Sequence, residues 1–163
     1  MIEVQGSRSA PGCRFALVVS RFNEDVTEGL VRGAREALAE GFVREEDITV
    51  LHVPGAFEIP LVARRAAATG RFDAVICLGC LIKGDTMHFE YIASAVSQGI
   101  SDAASASGIP MAFGVLTTLT DEQALARSGP GSDNKGREVA FAAMEMVTLL
   151  RQLPQPSTDG VRT

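Results

Sequence analysis

The sequence predicts an α/β fold, a three-layer αβα sandwich around a four-stranded parallel core sheet with an added N-terminal edge strand. Three observations predict it. Four short apolar runs recur, at residues 14–20, 47–53, 72–82 and 111–118. A helical pattern follows each run, and every connection is short. Such alternation belongs to parallel strands covered on both faces by crossover helices.

Residues 1–5 alternate weakly, which is the pattern expected of the edge strand. Nothing before Arg14 carries enough apolar surface to pack alone, so this arm is expected to dock on a neighbouring chain. Residues 14–20, RFALVVS, form the first strong strand, and Asn23 suits the N-cap of the helix behind it. Val26, Leu30, Ala34 and Leu38 recur at helical spacing, and Gly41 is the natural stop. Residues 47–53 make the second strand, ending in Pro54-Gly55. Pro60 is tolerated in a first helical turn, so the second helix is expected to start near residues 57–59 and to end by Gly70.

The third strand, residues 72–82, stops at Lys83-Gly84-Asp85-Thr86. Gly84 offers backbone angles closed to other residues, and Asp85 and Thr86 are good capping types. A helix is expected from His88, with Ile92, Val96 and Ile100 along one face, broken by Gly108-Ile109-Pro110. Residues 111–118 give the fourth strand. Thr120 to Gln123 is a capping box for a short helix ending by Ser128. A glycine-rich loop leads to a last helix over residues 137–150, with Val139, Ala143, Met146 and Leu150 as its stripe. Residues 1–153 read as a single domain, and the tail 154–163 has the composition of a disordered segment. The order of elements is that of the flavodoxin-like, doubly wound class.

A chain of 163 residues can bury roughly 70% of its unfolded surface. With 46% hydrophobic and 21% charged residues it is globular. A net charge of -5 and the lack of any basic run argue against a nucleic-acid partner, and Arg64-Arg65 reads as a solvated helix face. No apolar run reaches the ~18 residues of a membrane span, and the first residues lack a signal peptide's apolar core. The expected location is therefore cytoplasmic, with no membrane partner. Cys77 and Cys80 form a CxxC, but residues three apart on a strand point to opposite faces. Buried thiols fit better than a redox or zinc pair.

In such sheets ligands bind beyond the carboxyl ends of the strands. Those ends carry Phe22 and Asn23, residues 54–58, residues 80–88, and the segment from Thr117 onward. The turn before the third helix is suited to an anion, because free N–H groups and the helix dipole converge there. His88, one of only two histidines, sits at that turn. His52 lies inside a strand and reads as structural.

RFN after the first strand, VPGAFEIP after the second, LGCLIKGDTMHFEY after the third, FGVLTT on the fourth and NKG before the last helix together resemble the 6,7-dimethyl-8-ribityllumazine synthases. The resemblance runs over about residues 14–149. It implies a transferase of riboflavin biosynthesis that condenses 5-amino-6-(D-ribitylamino)uracil with 3,4-dihydroxy-2-butanone 4-phosphate, with neither metal nor organic cofactor. It implies His88 as proton shuttle and Phe22 stacked on the pyrimidine. Asn23, Ala56, Phe57 and Glu58 would hold the ribityl chain and ring edge. Cys80, Leu81 and Ile82 would offer backbone groups, with Phe113 closing the pocket from the next strand, either within the chain or across a subunit boundary. Asp85, Thr86, Arg127 and Lys135 would bind the phosphate. Taken without the resemblance, Phe22 reads equally well as a core aromatic, and Arg127 better as a helix C-terminal cation.

The resemblance further implies a homo-oligomer, a pentamer with sites between subunits. The short PGSDNKG loop is like that of members that close into sixty-subunit shells, and riboflavin synthase enclosed within the shell is left open. Leu119 and Met146 are plausible contact residues. Two departures stand out: lysine at Lys83 where the family often has arginine, and Gly131 where some relatives carry a basic residue. A flavin- or lumazine-binding shell protein without chemistry is the competing reading. A flavodoxin-type electron carrier fits poorly, since its phosphate site follows the first strand.

Overall fold

In the computed structural model, which describes residues 1–155, each of the four apolar runs is a strand. These are β1 (Phe15–Ser20), β2 (Ile48–Val53), β3 (Ala74–Ile82) and β4 (Met111–Thr118). They form one parallel sheet in the order β2-β1-β3-β4. The helices are α1 (Glu24–Glu40), α2 (Ile59–Ala68), α3 (His88–Ser107), α4 (Asp121–Ala126) and α5 (Lys135–Leu150). Most of the expected tail lies outside the described residues.

The period of two along β1 divides the core. Phe15, Leu17 and Val19 pack with Leu30 and Leu38 of α1 and Met144 of α5. Ala16 and Val18 pack on the other face with Ile59 and Ala63 of α2 and with Val96 and Ile100 of α3. A strand apolar at every position is thus covered on both sides, and the three-layer sandwich follows.

The expected N-terminal edge strand is absent: residues 1–5 are irregular and the sheet has four strands. Past this arm the chain is tied to α5, where Ser7 N–H donates to Thr148 Oγ1 at 2.7 Å. Gln152 Nε2 donates to the Gln5 carbonyl at 2.8 Å. Hydrogen bonds to a helix end replace a strand ladder, while Ile2 stays exposed.

The stripe of α5 also differs from expectation. Gly136, Val139, Ala140, Ala143, Met144 and Val147 are buried, whereas Met146 is exposed. Small residues at 136, 140 and 143 let α5 lie close on α1, which rotates the buried face toward Met144. Helix α1 ends at Gly41 as expected, but with φ -83. Glycine is needed there for space, because a Cβ would press on the Met144 sulfur and the Arg8 carbonyl. Gly108 does cap α3 in the left-handed conformation, φ 69.

Candidate active site

The sheet order reverses between β1 and β3, and a cleft of about 780 Å³ opens beyond their carboxyl ends. Phe22 and Asn23 enter it from the loop after β1. Phe22 is 69% exposed, so it is no core aromatic. Asn23 takes the left-handed conformation, φ 60 and ψ 53, which asparagine tolerates better than most residues. Its side chain does not cap α1, as the sequence suggests it should. Instead its Nδ2 donates to the Cys80 carbonyl at 3.0 Å, pinning the β1 loop to the end of β3.

Ala56, Phe57 and Glu58 form a single helical turn ahead of α2 and line the same cleft. Glu58 Oε2 accepts from the Gly55 N–H at 3.0 Å, which closes the turn. Phe57 is 61% exposed. Cys80, Leu81 and Ile82 supply the floor from β3. Thr86 and His88 complete the rim, and α3 begins at His88 as predicted. Thr86 Oγ1 lies 3.4 Å from His88 N, while position and backbone make Met87 the N-cap. Asp85 is exposed beside this cleft without lining it.

Gly84 departs from expectation. Its backbone is not left-handed, and a Cβ would meet nothing within 4 Å. Its lack of a side chain leaves the turn open toward the cleft. Lys83 Nζ lies 3.5 Å from Glu90 Oε1, an exposed pair across the start of α3.

Phe113, Arg127 and Lys135 stand apart from these residues. They line a second cleft, of about 620 Å³, between the outer strand β4, the end of α4 and the start of α5. Arg127 caps α4, and its Nη1 donates to the Gln123 carbonyl at 3.0 Å, as a helix C-terminal cation should. The Lys135 backbone N–H donates to the Arg127 carbonyl at 2.8 Å, so the two cations are coupled. The Lys135 ammonium pairs with Glu138 at 2.8 Å. Gly131 in the intervening loop has φ 102, a conformation that strains any side chain, which accounts for glycine at that position. Within one chain, then, ten of the fourteen predicted site residues gather in the first cleft and three in the second.

Sequence reasoning missed Phe89, Tyr91, Ile92 and Asp121 as lining residues of the first cleft. The first three follow His88 on α3, and its helical period could have found them. Asp121 gave only the signal of a capping box. That box is real at one end: Thr120 Oγ1 accepts from Gln123 N at 3.2 Å, while Gln123 Oε1 reaches past it to Leu119 N at 2.8 Å. His52 is exposed on the edge strand β2, in a separate groove against α1. Among the described residues no group of acidic, histidine or cysteine side chains could hold a metal ion.

Cys77 and Cys80 do point to opposite faces, each into a different half of the core. Burial pushes the Cys77 thiol up to about 12 and, aided by the Asp25 and Asp121 charges, the Cys80 thiol to about 11. Unfolded, both would ionise near 9. Below that pH the protonated core thiols contribute their full stability, and it is lost as pH rises toward the folded values. Urea midpoints should therefore fall between pH 9 and 11 in the parent, and fall less in Cys77→Ala. Equal slopes in the two would show that the Cys77 thiol ionises as readily in the folded as in the unfolded chain.

Comparison with known proteins agrees with this architecture. The model of the 6,7-dimethyl-8-ribityllumazine synthase family matches residues 12–151. The chain is similar to a 6,7-dimethyl-8-ribityllumazine synthase of Syntrophus aciditrophicus (strain SB). The two are 50% identical over 149 residues, which cover 91% of this chain and 97% of that relative. With the family pattern spanning β1 to α5 and a relative matched along nearly its whole length, the chain belongs to the 6,7-dimethyl-8-ribityllumazine synthase family.

Proposed function

We propose that this protein condenses 5-amino-6-(D-ribitylamino)uracil with 3,4-dihydroxy-2-butanone 4-phosphate to form 6,7-dimethyl-8-ribityllumazine, releasing phosphate and water. The observation that carries the reading is the first cleft. It sets an exposed aromatic ring, a helical turn with Glu58 and a histidine at a helix start around one opening at the switch point of the sheet. Phe22 stacks on the pyrimidine. Asn23, the turn at Ala56 and Phe57, and the backbone of Cys80, Leu81 and Ile82 meet the ring edge and ribityl chain. Glu58 keeps one oxygen on Gly55 and offers the other to hydroxyl groups.

The phosphate lies over the turn at Gly84, where Asp85 and Thr86 offer N–H groups at the start of α3. His88 stands beside it. The amine attacks the carbonyl, the carbinolamine loses water to give the imine, phosphate leaves by elimination, and the ring closes with loss of a second water. His88 moves protons in these steps. Holding two reactants in one cleft contributes much of the remaining acceleration.

The cations for the phosphate come from a neighbouring copy in this reading. Phe113, Arg127 and Lys135 lie in the second cleft, and a homo-pentamer brings that cleft of one chain against the first cleft of the next. Exposed Phe57 and Tyr91 in the first cleft, Met87 on the turn between its Thr86 and His88, and Leu119 and Leu125 beside the second cleft's Thr118 and Ala126 support such a contact, since large apolar side chains crowded at a rim favour burial. The short loop around Gly131 favours closure of pentamers into a sixty-subunit shell in the cytoplasm.

Mixing the two substrates with protein should yield lumazine fluorescence and an equal amount of phosphate, from particles whose light scattering matches the shell. Lumazine binding without phosphate release would establish the non-catalytic reading instead. Scattering from free pentamers alone would remove the shell and leave the chemistry intact.

A further inference from the structure

The side chain of Asn134 is 2% exposed and makes three hydrogen bonds. Nδ2 donates to the Gly129 carbonyl at 2.9 Å, within the loop behind Arg127, and to the Gly29 carbonyl of α1 at 3.0 Å. Oδ1 accepts from Arg137 N at 3.1 Å and so caps α5. Helix α1 is shaped to receive it: a Cβ at Gly33 would overlap the Asn134 amide. The next residue is Lys135, whose N–H holds the Arg127 carbonyl. One buried amide therefore ties together a loop, a helix start and a neighbouring helix, at the point where the two cations of the second cleft emerge.

We infer that Asn134 is a positioning residue for anion recognition, acting through Arg127 and Lys135 rather than by touching the ligand. The inference rests on the proposed function of the second cleft. Capping alone needs only an acceptor at this position, and serine or aspartate would supply it. The amide donors are the extra feature. They fix the backbone between the two cations, and with it the spacing at which Arg127 and Lys135 can meet one anion.

The test uses Asn134→Ser in the assembled protein. Serine keeps the cap and removes the amide NH2 that reaches the Gly129 and Gly29 carbonyls. The KM for the phosphorylated substrate should rise about tenfold, roughly one charge-assisted hydrogen bond. The KM for the pyrimidine and kcat should stay within about twofold, since no first-cleft residue moves. Inorganic phosphate should compete about tenfold more weakly, on the same reasoning. In an Arg127→Ala background the effect of Asn134→Ser should shrink, because the two act on one interaction.

A loss of thermal stability with unchanged phosphate competition would overturn the inference and leave Asn134 a purely structural group. So would an undiminished effect in the Arg127→Ala background. Should the serine variant fail to assemble, Asn134→Asp keeps the shape and the cap, and the same ratios decide. If the parent protein neither turns over nor binds inorganic phosphate, the proposed function fails and this inference with it, whereas an active parent whose phosphate ratios are unchanged in Asn134→Ser overturns this inference alone.

Discussion

His88→Ala is expected to lower kcat by about 10²–10⁴-fold while leaving the assembly intact. The residue opens α3 at an exposed position, and its ring supports no buried packing. Substitution there should change stability by no more than about 0.5 kcal/mol. The loss should appear in kcat, because in the proposed mechanism the imidazole acts on protons in flight between amine, carbinolamine and leaving group. Binding of the pyrimidine, which the proposed function places against Phe22 and the turn at Ala56, should hardly change. Single-turnover kinetics at saturating concentrations of both substrates would separate chemistry from product release. Turnover within about threefold of the parent would end the proton-shuttle assignment, given what a positioned acid or base contributes.

Gly136→Ala is expected to destabilise the fold by about 3 kcal/mol or more, the upper range of overpacking. A Cβ at this position would overlap the carbonyl group of Leu30 on α1. The obstacle is backbone, so no side chain can swing aside. Neighbouring approaches are equally close: Gly29 meets the Ser128 carbonyl and Gly33 meets Asn134. The helices cannot separate at one point without losing the others, and Met144 and Leu30 would lose their packing as well. Urea unfolding at matched protein concentration would measure the change, since assembly contributes to apparent stability. A shift below about 0.5 kcal/mol would mean that α1 and α5 slide freely.

Strand positions were legible because burial on both faces writes an uninterrupted apolar run, as in AVICLGCLI. The start of α3 at His88 and the capping of α4 by Thr120 were legible from local chemistry. Three readings failed where tertiary packing overrode local preference. Asn23 has the side chain of a cap, but the Cys80 carbonyl lies within reach and takes it. The stripe of α5 follows glycine and alanine contacts with α1 rather than its largest apolar residues. The arm at residues 1–5 alternates like a strand but pairs with no strand of the sheet, and Gln5 is tied instead to Gln152 just past α5. The candidate site was legible as a set of strand ends. A subunit boundary was an open reading for Phe113, but that Arg127 and Lys135 share its separate cleft was not legible, because position along a strand does not say which flank of the sheet a loop serves.

The separation of those clefts bears on what shape of aggregate makes economical use of its subunits. A chain with unlike donor and acceptor halves joins its neighbours head to tail, a heterologous contact. In an open row, the first and last members each present a half with nothing opposite. Only closure into a ring gives as many complete reaction chambers as there are polypeptides, so under the proposed arrangement cyclic symmetry is itself a requirement of full activity.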